Sequence, residues 1–187
     1  MGYVDEALKA SNRALELTHM TQNERFRAYV MNQKARGIMV LGKKTQALAL
    51  LDEAIKISRK VGMPFVGPRL LGTLSICTED EEVRSNAIRE GFSILKTGCH
   101  AHNQLWFLRD AIESSLQVNK DAEALNYARH LESITMVEPL AWAKYFIERA
   151  RAIVNANTTP NSPDIKQEFL RLNKVADSAG FAVTRTH

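Results

Sequence analysis

The chain has 187 residues, enough for one domain with a sizeable core, and its 25 Lys and Arg only modestly exceed its 21 Asp and Glu. The two signs are interspersed, as in Asp52, Glu53, Lys56, Arg59 and Lys60, which describes a solvated surface and argues against a nucleic-acid-binding stripe. Two cysteines exclude a disulfide framework, no apolar run approaches the ~20 residues of a membrane span, and residues 1–6 lack the pattern of a secretory signal, so a reducing, cytoplasmic setting is expected.

Alanine and leucine are plentiful and β-branched runs are scarce, a bias towards helices. The first expected helix carries Ala7, Leu8, Ala14, Leu15 and Leu17 on one face. A second, Glu24 to Leu41, carries Phe26, Val30, Ala35 and Ile38 and stops at Gly42, where a left-handed residue is wanted. The stretch Leu41 to Ile57 is a glycine turn followed by a helix. Phe65 to Cys77 is the weakest helix, because Gly67, Pro68 and Gly72 should shorten it or displace its start.

Glu79, Asp80, Glu81 and Glu82 precede the next helix. They could hold a cation or a basic peptide, but acids at a helix N-terminus more simply complement its dipole. His102 to Val118 carries Leu105, Trp106, Leu108, Ile112 and Leu116. A helix through Ala124, Ala128 and Leu131 follows, then one from Pro139 to Val154 with proline in its first turn. Residues 155–162 read as a loop. Ser162, Pro163 and Asp164 supply a cap, a first-turn proline and a first-turn acid for a last helix that buries Ile165, Phe169, Leu172 and Ala176 and ends at Gly180.

A period of about forty residues runs through this series. Ala7-Leu8 aligns with Ala47-Leu48, then with Ala87-Ile88 and Ala124-Leu125, and Gly2 aligns with Gly42. A small residue in each copy lets a neighbouring helix axis come close, and a large one fills the adjacent groove. The expected fold is therefore all-α: antiparallel helix hairpins stacked as a right-handed α-solenoid over residues 1–154, with residues 163–187 as a capping helix and tail. The chain then begins inside a unit whose first helix is missing. The open face of the N-terminal helix could belong to a longer protein or reflect a start placed too late, could dock on a partner or on itself, or the helix could simply fold on the next one alone.

Gly-x-x-x-x-Ala-Leu followed by Ala-Ile or Ala-Leu resembles tetratricopeptide repeats. A more specific resemblance rests on Gly67-Pro68-Arg69-Leu70-Leu71-Gly72, Gly98-Cys99-His100-Ala101-His102-Asn103, Leu105 through Glu113, and Glu138 through Ala143. These segments are similar to the C-terminal repeat region of bacterial proteins that join a class III adenylate/guanylate cyclase domain, an ATPase module and a repeat tail. The chain has no Walker-type glycine loop and no pair of cyclase aspartates, so the resemblance implies no cyclase or ATP-binding activity here. It implies a tail's role, protein contact or regulation.

Candidate sites are few. Cys99, His100 and His102, with Cys77, offer soft or borderline metal ligands, but the spacing matches no zinc pattern and no metal or other cofactor is expected. His19, His130 and His187 have no nucleophile or paired carboxylate beside them in sequence, so no catalytic residue is assigned. Trp106, Arg109, Asp110 and Glu113 fall at i, i+3, i+4 and i+7 on one helix face, with Asn103 one turn earlier; these five are the expected partner-binding residues. The alternative is internal, with Arg109 paired to Glu113. The expected function is a non-catalytic interaction or regulatory module that holds a peptide or protein in the solenoid groove. A small-molecule sensor with a pocket near Gly67, Trp106 and Trp142 is the alternative; membrane and nucleic acid are not expected partners.

Overall fold

The computed structural model describes residues 3–159 and 162–181, and among them there are nine α-helices, one 3-10 turn and no strand. The helices are α1 (Val4–Met20), α2 (Glu24–Val40), α3 (Lys44–Val61), α4 (Gly67–Cys77), α5 (Glu81–Thr97), α6 (Ala101–Gln117), α7 (Asp121–Thr135), α8 (Ala141–Thr158) and α9 (Pro163–Ala179), with the 3-10 turn at Met63–Phe65. The aligned Gly2, His187 and the rest of the tail after Phe181 lie outside the described residues. The chain divides into two compact units after Asp110, within α6.

In the unit of residues 3–110, α2 packs on α1 and α3, and α4 packs on α2, α3 and α5. Its core joins Ala28, Met31 and Ala35 of α2 to Ala47, Leu51 and Ala54 of α3, and to Leu70 and Leu71 of α4. The recurring alanines have a physical role. Ala47 and Ala124, each the fourth residue of its helix, are fully buried, and Ala87, the seventh residue of α5, is nearly so. A methyl group there is all that a close neighbour admits.

The first helix differs from its expected register. Ala7 and Leu17 are exposed, and the side that turns inward is Leu8, Ser11, Leu15 and Thr18. Spacings of three and four residues still make one stripe, but a narrow one, because α1 packs on α2. The hydroxyls of Ser11 and Thr18 donate to the carbonyls of Ala7 and Leu15, which lets both polar residues sit at the contact.

The helix expected to be weakest is short, as anticipated, yet it is the most enclosed. Nine of the eleven residues of α4 are buried. A helix that is apolar nearly all round belongs in the interior. Its C-terminal end is closed by a side chain from the next helix. Arg84, 7 % exposed, donates to the carbonyl oxygens of Ser75 at 2.5 Å and Thr78 at 2.6 Å. These carbonyls have no turn of helix beyond them, so the guanidinium takes the place of solvent. Arg84→Met is expected to destabilise the protein by about 3 kcal/mol, since it orphans two buried acceptors that now bind a charged donor. Urea denaturation measures this; a loss under about 0.5 kcal/mol would mean water replaces the guanidinium freely.

Asp80 resolves the acidic run before α5. Its carboxylate accepts from the backbone N–H of Glu82 at 2.8 Å and Val83 at 3.1 Å, an N-cap. Glu79 pairs with Lys44, whose hydrogen bond and charge hold its carboxyl below the usual range.

In the unit of residues 111–181, α8 packs on α7 and α9. Tyr145, Phe146, Leu172 and Ala176 form its core with Trp142, Phe169 and Phe181 at the edge. Helix α8 corrects the expected boundaries at both ends. Leu140 is extended and caps it, so Pro139 lies outside the first turn. At the other end the helix runs on through residues 155–158, which read as loop. Asn and Thr there find partners: Asn157 donates to the Asp121 carboxylate at 3.0 Å, and the Thr158 and Thr159 hydroxyls donate to the Asn155 carbonyl. Helix α9 begins after Ser162 as expected, although the Ser162 side chain makes no capping bond, and Gly180 ends it in the left-handed region at φ 75°.

Candidate binding face on α2, α4 and α6

The unit of residues 3–110 brings an unusual set of groups together. Arg36 of α2 and Arg109 of α6 both donate to the carboxylate of Asp110, which is completely buried. Helix α4 makes room for this through Gly72. A Cβ there would lie 2.9 Å from the Asp110 Cβ and 3.0 Å from its Oδ2. That is closer than a side chain tolerates, so glycine at this point is a packing requirement. Its cost in helix propensity, about 1 kcal/mol, is the lesser effect.

Arg69 stands beside this pair on α4. Its guanidinium lies 4.7 Å from the Tyr29 ring centroid and 5.0 Å from that of Trp106, while Arg109 lies 4.8 Å from the same Trp106. Ring faces stabilise a desolvated cation by about 2 kcal/mol each, so Tyr29 and Trp106 make burial of Arg69 tolerable. They do not use its N–H donors. Arg69 is 4 % exposed, and its side chain makes no hydrogen bond or ion pair among the described residues.

The cost of crowding these cations shows in Arg36. Burial pushes its pKa down to about 10; the Asp110 charge and hydrogen bond oppose this, and Arg109 and Arg69 push the same way as burial. The field reaches His102, which is held below its ordinary value first by burial and then by Arg69 and His100.

Two buried amides complete the face. Asn32 is completely buried and both ends of its amide lack a partner. It lies on α2 between Tyr29 and Arg36 at spacings of three and four, hence on their side of the helix. Asn103 donates to the carbonyls of Pro64 at 3.2 Å and Phe65 at 2.8 Å, which fixes the 3-10 turn against α6, while its own oxygen has no partner.

The five expected partner-binding residues thus take different places. Trp106 and Arg109 are partly exposed and share one stack, and Asp110 and Asn103 are buried beneath. Glu113 belongs to the unit of residues 111–181, where it accepts from Arg149 at 2.5 Å. Tyr29, Asn32, Arg36 and Arg69 were not among the expected residues. Arg69 left a trace in the sequence, as the one charge between Gly62 and Thr78.

Comparison with protein-family models, with known proteins and with solved structures finds no match. Of the other candidates, Cys77 is buried with its thiol directed at the Lys44 carbonyl, and burial raises both cysteine pKa values. Among the described residues no group of three or more His, Cys, Asp and Glu is placed to hold a metal. No helix among them is long and apolar enough to cross a membrane.

Proposed function

We propose that the chain is a non-catalytic binding module, a regulatory or interaction element whose contact surface is the face formed by α2, α4 and α6. In this reading the helix pairs stack as a right-handed tetratricopeptide-like solenoid with α9 as its cap, similar to the repeat tail of cyclase-like signalling proteins, acting in the cytoplasm on a protein or peptide. The recurrence of buried Ala47, Ala87 and Ala124 supports the repeat.

The observation that carries the binding role is the stack of Arg69, Trp106 and Arg109 above the buried Asp110. A stable core does not need cations gathered from three helices, and replacing such groups by apolar ones is often neutral or stabilising. Aromatic and arginine side chains on a preformed surface are the usual anchors of recognition. Selection of peptides from a random library against the full chain tests this. Trp106→Ala and Arg109→Ala are each expected to weaken the selected peptides by tenfold or more, about 1.4 kcal/mol. Peptides that bind both variants as well as the parent would place recognition elsewhere.

A small-molecule sensor is the second reading, favoured by the unpartnered polar atoms of Asn32, Arg69 and Asn103. A ligand that satisfied them would raise the melting temperature, and a broad metabolite screen without any rise would remove this reading.

A further inference from the structure

We infer that the floor of this face, Arg69 with Asn32, is a binding site for an oxyanion, the phosphate or carboxylate group of a ligand. The inference rests on the α2, α4 and α6 face being the one that binds.

The geometry leads there in three steps. With two aromatic rings against the guanidinium, the N–H donors that remain lie in its plane, at its edge. Nothing among the described residues accepts from them, although the side chain is almost wholly buried. An in-plane fork of N–H groups matches two oxygens of one carboxylate or phosphate, and such charge-assisted pairs are the strong ones.

Asn32 adds a second, independent orphan. Its amide offers donors as well as an acceptor, all unused, from the turn of α2 between the Tyr29 that stacks on Arg69 and the Arg36 that meets Asp110. Internal acid does not fill the need, because the Asp110 oxygens are already engaged by Arg36 and Arg109. An anion entering here would gain from Arg36 and from the two cations, Arg109 and Arg69, that now depress it. Lysine would not substitute for Arg69, since an ammonium neither stacks as a plane nor presents a fork.

The test is a thermal melt and a calorimetric titration of the full chain with inorganic phosphate and, separately, with malonate, against potassium chloride at equal ionic strength. Either oxyanion is expected to raise the melting temperature progressively with concentration, as preferential binding to the folded state requires. Arg69→Met removes a buried cation without a hydrogen-bond partner and keeps the length of the side chain. It is expected to melt no lower than the parent in anion-free buffer and to lose at least about tenfold in anion affinity. Asn32→Ala should lose a smaller part.

If neither oxyanion differs from chloride, or if Arg69→Met binds as tightly as the parent, the inference is overturned and the orphan donors are met by water alone. Peptide binding that still depends on Trp106 would then leave the face intact as a binding surface, so the two failures are separable. Where oxyanion binding is present, competition between phosphate and a selected acidic peptide assigns the anion to a side chain of the partner. Saturation by phosphate with no effect on such a peptide assigns it to a free small molecule.

Discussion

Replacing Asp110 by alanine is expected to destabilise the protein by about 3–5 kcal/mol, the largest effect of any single polar substitution in the chain. The carboxylate is fully buried and accepts from Arg36 and Arg109. Removing it leaves those two largely buried cations without the charge that opposes their desolvation. Arg36 already shows the strain of burial, with its pKa pushed down to about 10 even in the presence of Asp110. Arginine stays charged at neutral pH, so the penalty falls on folding and is not relieved by loss of a proton. Asp110→Asn keeps an acceptor and loses the charge, and should cost less. A cycle of Arg36→Met, Asp110→Ala and the double variant, followed by urea denaturation, should give a coupling of about 2 kcal/mol or more. Additive costs would mean that the two side chains do not interact.

Gly91→Ala is expected to be nearly as damaging, by about 2–4 kcal/mol, even though it improves a helix. On intrinsic propensity alone alanine would gain about 1 kcal/mol at this position in α5. The new methyl, however, would lie 2.2 Å from Cε2 and 2.4 Å from Cζ of Phe107. A shift of a few tenths of an ångström cannot clear that. Phe107 is fully buried, and its ring meets the edge of Phe92 at a centroid distance of 5.1 Å, so it has little freedom to retreat. Shortening the obstacle in the double variant Gly91→Ala with Phe107→Leu should recover part of the loss. A Gly91→Ala protein as stable as the parent would show that α5 and α6 are further apart than described.

Much of the helical architecture could be read from the chain, because helices announce themselves locally. Apolar residues at spacings of three and four, the glycines at positions 42 and 180, and Pro163 set the boundaries to within a few residues. The errors came where the deciding contact is distant or competes with composition. Asn155 to Thr158 look like loop formers, yet Asn157 finds Asp121, 36 positions away, and α8 continues. Ala7 looks like Ala47 by register, but its helix has a narrower contact.

The candidate face divides in the same way. Trp106, Arg109 and Asp110 stood out because they share one helix face. Arg36 did not, because its meeting with Asp110 spans 74 positions and leaves no local mark. By propensity Gly72 weakens a helix, but in the fold its place is to admit Asp110. Arg69 is the instructive case. A lone charge inside an apolar helix was visible, and its isolation was the signal that the fold encloses it.

The most direct test of the binding face is the side-chain Nε–Hε spectrum of the arginines, recorded by NMR on the nitrogen-labelled full chain as phosphate is added. The signal of Arg69, assigned from Arg69→Met, should be shielded from rapid exchange with water before addition and should move markedly on addition. That of Arg13, on the exposed side of α1, should not. An Arg69 signal that exchanges as fast as that of Arg13 and ignores phosphate would contradict both the buried fork and the site built on it.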